Sequence, residues 1–200
     1  MRTRRKLTLA VLGIIGLCIC VTVAVVAYSI EQEKKEIRDK YGSDVAKFCE
    51  EPGGGAADVA NFSNADAEIR FLVLAGDGTY DDWHDKLPTD VRATGKENLD
   101  VVVCKVKSEK QIESCPYTDV NDENKVLFTI NRVQPVLDVV LLSPAGTRIA
   151  ERTLLGGIPD KCPDEARGSK DSVQTKRGAE VSYNDFYTEL TAFVSSVQAQ

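Results

Sequence analysis

Hydrophobic and polar positions follow three different rhythms along this chain. Leu7 to Ile30 is an unbroken run of 24 residues without a charge (LTLAVLGIIGLCICVTVAVVAYSI). As a helix it is long enough to span about 30 Å of hydrocarbon, and a helix satisfies its own backbone there. Arg2, Arg4, Arg5 and Lys6 stand immediately before it, which by the positive-inside rule keeps the N-terminus in the cytoplasm. A cleaved signal peptide ending near Val25-Val26-Ala27 is the competing reading. The run is about twice as long as a usual signal core, which favours an uncleaved anchor.

The rhythm then becomes helical and amphipathic. Ile37, Tyr41, Val45 and Phe48 form a narrow apolar stripe through Glu31–Glu50, a segment expected to be a juxtamembrane stalk helix. Glu31 with Lys35 and Glu36 with Lys40 have the spacing of favourable i,i+4 pairs. Fewer than three heptads are present, so a docked stalk is expected rather than a dimerising coil. Residues 51–68, with Pro52-Gly53-Gly54-Gly55, read as a loop or linker. Asn61-Phe62-Ser63 within it is a formal glycosylation acceptor.

Beyond the linker the period falls to two. Arg70–Ala75 is a short apolar strand closed by Gly76-Asp77-Gly78. Leu99–Val106 carries β-branched residues on both faces and reads as the most buried strand. Val126–Val133 alternates, and Pro135 after it should bend or bulge the chain. Val136–Leu142 and Arg148–Leu155 flank Ser143-Pro144-Ala145-Gly146, a turn that makes them a hairpin. Near the C-terminus, Phe186, Leu190, Phe193, Val194 and Val197 share one helical stripe from Tyr183 on, with Ser182 as its cap and Asp185 in the first turn. The expected fold class is α+β: an N-terminal transmembrane helix, then a mostly antiparallel sheet with the C-terminal helix on one face. The expected divisions are a basic tail (1–6), the span (7–30), the stalk (31–50), the linker (51–68) and an extracytoplasmic domain (69–200).

Charge sharpens this picture. All 31 Asp and Glu lie beyond the uncharged run, with 21 of the 25 Lys and Arg, so the outer part carries a net −10. Such a domain repels nucleic acid and anionic headgroups. Four of the six cysteines, Cys49, Cys104, Cys115 and Cys162, lie outside the run. An even number in an extracytoplasmic setting implies two disulfides, with three pairings open. None belongs to a CxxC, which argues against thioredoxin or zinc-ribbon chemistry. Cys18 and Cys20 fall within the span, about 200° apart on a helix, and cannot share an ion.

Little else suggests chemistry. His84 is the one histidine, within Asp82-Trp83-His84-Asp85, so base and acid types adjoin. No GxSxG or reactive cysteine accompanies them. Asp77, Asp81 and Asp82 cluster in one loop, and Asp119, Asn121, Asp122, Glu123 and Asn124 in another, but neither has the spacing of a calcium loop. P-loop, dinucleotide and HExxH patterns do not occur, and no catalytic residue, metal ligand or cofactor is assigned.

The spacing of Trp83, Leu87-Pro88, Val91-Arg92, Val102-Val103-Cys104, Ile112-Glu113-Ser114-Cys115-Pro116-Tyr117, Gly146, Ile149-Ala150, Thr153, Gly156, Pro159 and Cys162-Pro163 resembles a family of uncharacterised bacterial membrane-anchored or secreted disulfide-containing domains. The resemblance covers about 48–194. It implies the pairing Cys49–Cys104, with Cys115–Cys162 as the second bridge, and a cell-envelope location. It carries no catalytic signature. Together these observations lead to the expectation of a non-catalytic, membrane-anchored binding or accessory module. It would meet the lipid bilayer through 7–30, take a membrane-protein partner and bind no nucleic acid. A small membrane-tethered hydrolase using acidic residues or His84 is the alternative.

Overall fold

The structure, a computed structural model, describes residues 2–42, 44–50, 68–119 and 121–198, with side chains from 21 onward except 123, 197 and 198. The linker expected at 51–68, with its Asn61 acceptor, lies almost wholly outside the described residues, as do the side chains of Cys18 and Cys20. The elements in order are α1 (Arg2–Tyr41), α2 (Val45–Glu50), β1 (Phe71–Ala75), β2 (Val101–Asp119), β3 (Asp122–Leu142), β4 (Arg148–Leu155), β5 (Ser172–Arg177) and α3 (Tyr183–Gln198).

The basic tail, the uncharged run and the first half of the stalk form one helix, α1. It stops at Gly42, whose φ of +122° suits a residue without a Cβ. Among the described residues no helix is long and apolar enough to cross a membrane. The stalk stripe is nonetheless used as its spacing predicts: Ile37, Tyr41 and Val45 are buried, and Phe48 packs beside them. The ion pairs differ from those the spacing suggests. Glu31 closes on Arg38 at 2.8 Å, and Lys34 pairs with Glu50 at the end of α2.

The chain is α+β with a mixed sheet in the order β1-β2-β3-β4, and with β5 also on β3. The long pairings β2–β3 and β3–β4 are antiparallel, as expected, but β1–β2 and β3–β5 are parallel. Parallel partners need a crossover, here the segments 76–100 and 143–171, and therefore leave no hairpin signal in the sequence.

Both faces of the sheet are covered, not one. Alternate residues Leu72, Leu74, Val102, Cys104, Val140 and Leu142 pack against Ile37, Tyr41 and α2. Their neighbours Phe71, Val73, Val101, Val103, Val139 and Leu141 pack against Phe186 and Leu190 of α3. This two-sided burial is the physical reason that 101–104 reads as apolar on both faces. The stalk end supplies the second layer, a role its apolar stripe permits but does not announce. Ser182 and Asp185 cap α3 reciprocally: the Asp185 amide donates to the Ser182 hydroxyl at 3.2 Å, and the Ser182 amide to the Asp185 carboxylate at 3.3 Å.

β2 and β3 run far past the segments that read as strands, to 19 and 21 residues. Val126–Val133 and Val136–Leu142 are one strand through Pro135, without a bulge there. Pro135 is tolerated because the outer partner of β3 changes at that point: β4 pairs from Val136 onward and β5 up to Val133. The far part of the ribbon, with β5 and the crossover segment over it, forms a second lobe. Tyr117 and Phe128 stack there at 4.9 Å, and the Tyr117 hydroxyl donates to the Pro163 carbonyl at 2.6 Å.

The bridges are Cys49–Cys104, with Cα atoms 5.1 Å apart, and Cys115–Cys162, at 6.5 Å. The first pins α2 to the central strand. The second straps the crossover onto the distal ribbon. Closing loops of 55 and 47 residues, each contributes about 4 kcal/mol in the chain-entropy account.

Candidate functional site

The residues with most chemical potential converge at the carboxyl end of β1, where the segment 76–93 folds back along that strand. Among the described residues no strand lies beside the outer edge of β1, yet its backbone groups are satisfied by this segment. Phe71 donates to the Val91 carbonyl at 2.8 Å, Ala93 to the Phe71 carbonyl at 2.9 Å, Asp81 to the Val73 carbonyl at 3.3 Å, and Ala75 to the Thr79 carbonyl at 2.9 Å. The Val73 amide remains, and the His84 side chain takes it: Nδ1 accepts that N–H at 3.3 Å. His84 thus replaces a carbonyl of a missing strand.

That role fixes the state of His84. With Nδ1 as acceptor the ring is neutral and its proton sits on Nε2. The side chain is buried, stacks on Tyr80 at 5.5 Å and meets Tyr41 edge-on at 6.5 Å. Burial pushes its pKa down to about 4, against the pull of nearby Asp85. Tyr80, whose hydroxyl is buried with no hydrogen-bond partner among the described residues, has its pKa raised by burial and by Tyr41 beside it.

On the other side of the sheet the same segment meets Lys105. Its Nζ is buried, 2.5 Å from Asp81 Oδ1 and 3.1 Å from the centroid of the Trp83 ring, with Phe186 at 5.3 Å. Asp81 also accepts the Trp83 amide at 2.9 Å. Burial lowers the Lys105 pKa to about 8, and the Asp81 carboxylate opposes that shift. The cation is therefore held between a carboxylate and an indole face, which ties the returning segment to the central sheet.

The candidate residues named from sequence are consequently scattered by role. Asp81 neutralises Lys105. Asp77 accepts the Thr79 amide at 3.1 Å and hydroxyl at 2.7 Å in a turn. Asp82 is exposed, and exposed Asp85 lies 3.5 Å from Arg92. Asp119 accepts the Asn121 amide at 3.0 Å at the ribbon tip, and Lys125 lies 3.4 Å away. Such turns explain the acidic loops without an ion. Among the described residues, the ligand-type atoms that converge are those of Glu113, Cys115 and Cys162, and the two sulfurs are joined to each other. Glu113 is ion-paired with Arg132, whose guanidinium also donates to the Pro159 carbonyl at 2.5 Å. The site residues missed from sequence are Lys105 and Arg132. The signal for Lys105 was present: one cation interrupts Val101-Val102-Val103-Cys104-Lys105-Val106, where both faces are buried.

No family model, curated protein or solved structure matches the chain.

Proposed function

We propose that this chain is a non-catalytic module of the bacterial cell envelope, anchored in the membrane through 7–30 and displaying the sheet domain outside, either as a binding domain or as an accessory subunit of a membrane complex. The observation that carries this is the continuity of α1. The helix bearing the uncharged run ends as part of the domain core, with Ile37 and Tyr41 fully packed. A domain built onto its own anchor is held at a fixed height and orientation, a property useful for presenting a surface to a neighbour. The positive-inside tail, the two disulfides and the resemblance described above all favour the same reading.

The polar cluster supports a non-catalytic role. A hydrolase built on His84 needs an imidazole that accepts a proton from a nucleophile or water. Here Nδ1 already accepts the Val73 amide, and burial holds the pKa near 4. Lys105 is likewise spent on Asp81 and Trp83.

The test is extraction of the full chain from its own membranes in mild detergent. A stoichiometric membrane-protein partner would support the accessory reading. Hydrolysis of an ester, glycoside or peptide that is lost in His84→Ala would overturn the non-catalytic reading.

A further inference from the structure

The direction of α1 relative to the sheet orients the second lobe. At one end, the Tyr41 hydroxyl donates to the Ala93 carbonyl at 3.1 Å, and the Ala93 amide is bonded to Phe71, the first residue of β1. At the other end, Glu33 accepts the Tyr80 amide at 2.6 Å, and Tyr80 is bridged to Leu74. α1 therefore runs antiparallel to β1. Because β2 is parallel to β1, it leaves the core toward the end from which α1 enters. Lys105, level with Ala75, is near the height of Glu33, which is only about 4.5 Å along the helix from Ile30. β2 then continues to Asp119, roughly 46 Å further if straight. Its Lys107, Glu109, Lys110 and Glu113 do not enter hydrocarbon. Register shifts at Gln111/Glu113 and around Tyr117/Thr118 are points at which such a ribbon can turn aside from the helix axis.

Two further observations single out this lobe (residues 107–134 and 155–178). Among the described residues the exposed large apolar side chains fall in two places. Val21, Val23, Val25, Val26 and Tyr28 lie in α1, and Ile112, Val126, Leu155, Ile158 and Val173 lie in the lobe. The acidity is also segregated. The lobe holds nine basic and nine acidic residues, so the whole net −10 of the outer part resides elsewhere. With no net charge, the lobe can approach an anionic headgroup layer without net repulsion.

We infer that the distal ribbon lobe lies against the lipid headgroup layer beside the anchor, with exposed apolar residues such as Val126 and Val173 at the interface. This rests on the anchored reading above. A peripheral contact of this kind seats side chains in the headgroup and upper acyl region. It would fix the rotation of the domain about α1 and leave the acidic remainder facing outward.

The experiment reconstitutes the full chain in mixed zwitterionic and anionic vesicles whose lipids are brominated near the headgroup. Val126→Trp and Val173→Trp are compared with Lys96→Trp, an exposed site near the start of β2, at the opposite end of the domain. Carbonate extraction is run on the same samples, and intact disulfides are verified by mass. Loss of the added emission at 126 and 173, with none at 96, is the expected result. No quenching at either lobe site in a carbonate-resistant chain overturns the lobe contact and leaves the anchor standing. Quenching at all three sites overturns the assignment to the lobe. Release of the chain by carbonate overturns the anchored reading, and this inference with it.

Discussion

Replacing His84 tests whether a side chain is completing the edge of β1. In the folded chain its pKa is about 4, against an ordinary value of 6.5. The unfolded chain therefore binds the proton first as pH falls. Stability from this group is fully present above pH 6.5 and is lost as pH drops toward 4. The full span is worth about 3 kcal/mol, and about 2 kcal/mol of it is expressed by pH 5. The chain has a single histidine, and ordinary carboxylates titrate mainly below that range, so the window from pH 7 to 5 belongs to His84. Urea unfolding of the segment from Glu31, at intervals of half a pH unit, reads this directly. In His84→Gln the slope between pH 7 and 5 should vanish, because the amide oxygen can still accept the Val73 N–H but does not titrate there. His84→Ala should also lose the slope. At pH 7 it should be less stable by roughly 2–4 kcal/mol, from the unpaired Val73 amide and the lost stacking on Tyr80. An unchanged slope in His84→Gln, or a flat profile in the parent, would refute the reasoning.

Lys105→Met strands the Asp81 carboxylate among apolar neighbours and should cost about 3–5 kcal/mol by denaturant midpoint. Adding Asp81→Asn should restore part of that loss. Gly78 has φ +80°, and a Cβ there would lie 2.4 Å from the Ala46 carbonyl oxygen. Gly78→Ala should accordingly lower stability by at least about 2 kcal/mol in a thermal scan, through displacement of α2. Removing the second bridge with Cys115→Ser and Cys162→Ser should accelerate amide exchange in 107–134 and 155–178 while the exchange of β1 and α3 stays unchanged. Loss of protection throughout the chain would show that the two lobes are not separable.

The parts legible from sequence are those where one local rule decides the outcome. Ser182 and Asp185 mark the start of α3, Gly146 closes the β3–β4 turn, and the stripe from Ile37 to Val45 reports its own burial. The rest depends on partners distant in the chain. β5 is six mostly polar residues paired in parallel across a crossover, so neither its pattern nor its turn announces it. The outer half of β2, KSEKQIESCPYTD, shows no clean alternation because its charges and bulges mask the period. The same distance hides the site. Nothing local shows that His84 lies against Val73, or that Lys105 reaches Asp81 and Trp83 across the sheet.

The changeover at Pro135 has a consequence for how this molecule can vary. β2 and β3 leave the core as an extension that β5 and the Cys115–Cys162 bridge brace as far as Phe128, and past Phe128 the two strands pair with each other alone among the described residues. Residues can be added or removed there without moving an atom between Phe71 and Leu74. Parity is the constraint: a change of one residue in either strand inverts every side chain beyond it, whereas matched changes of two preserve facing. The extension thus behaves as an adjustable reach on an invariant base, and related chains should differ in its length by even steps while keeping the Cys49–Cys104 core.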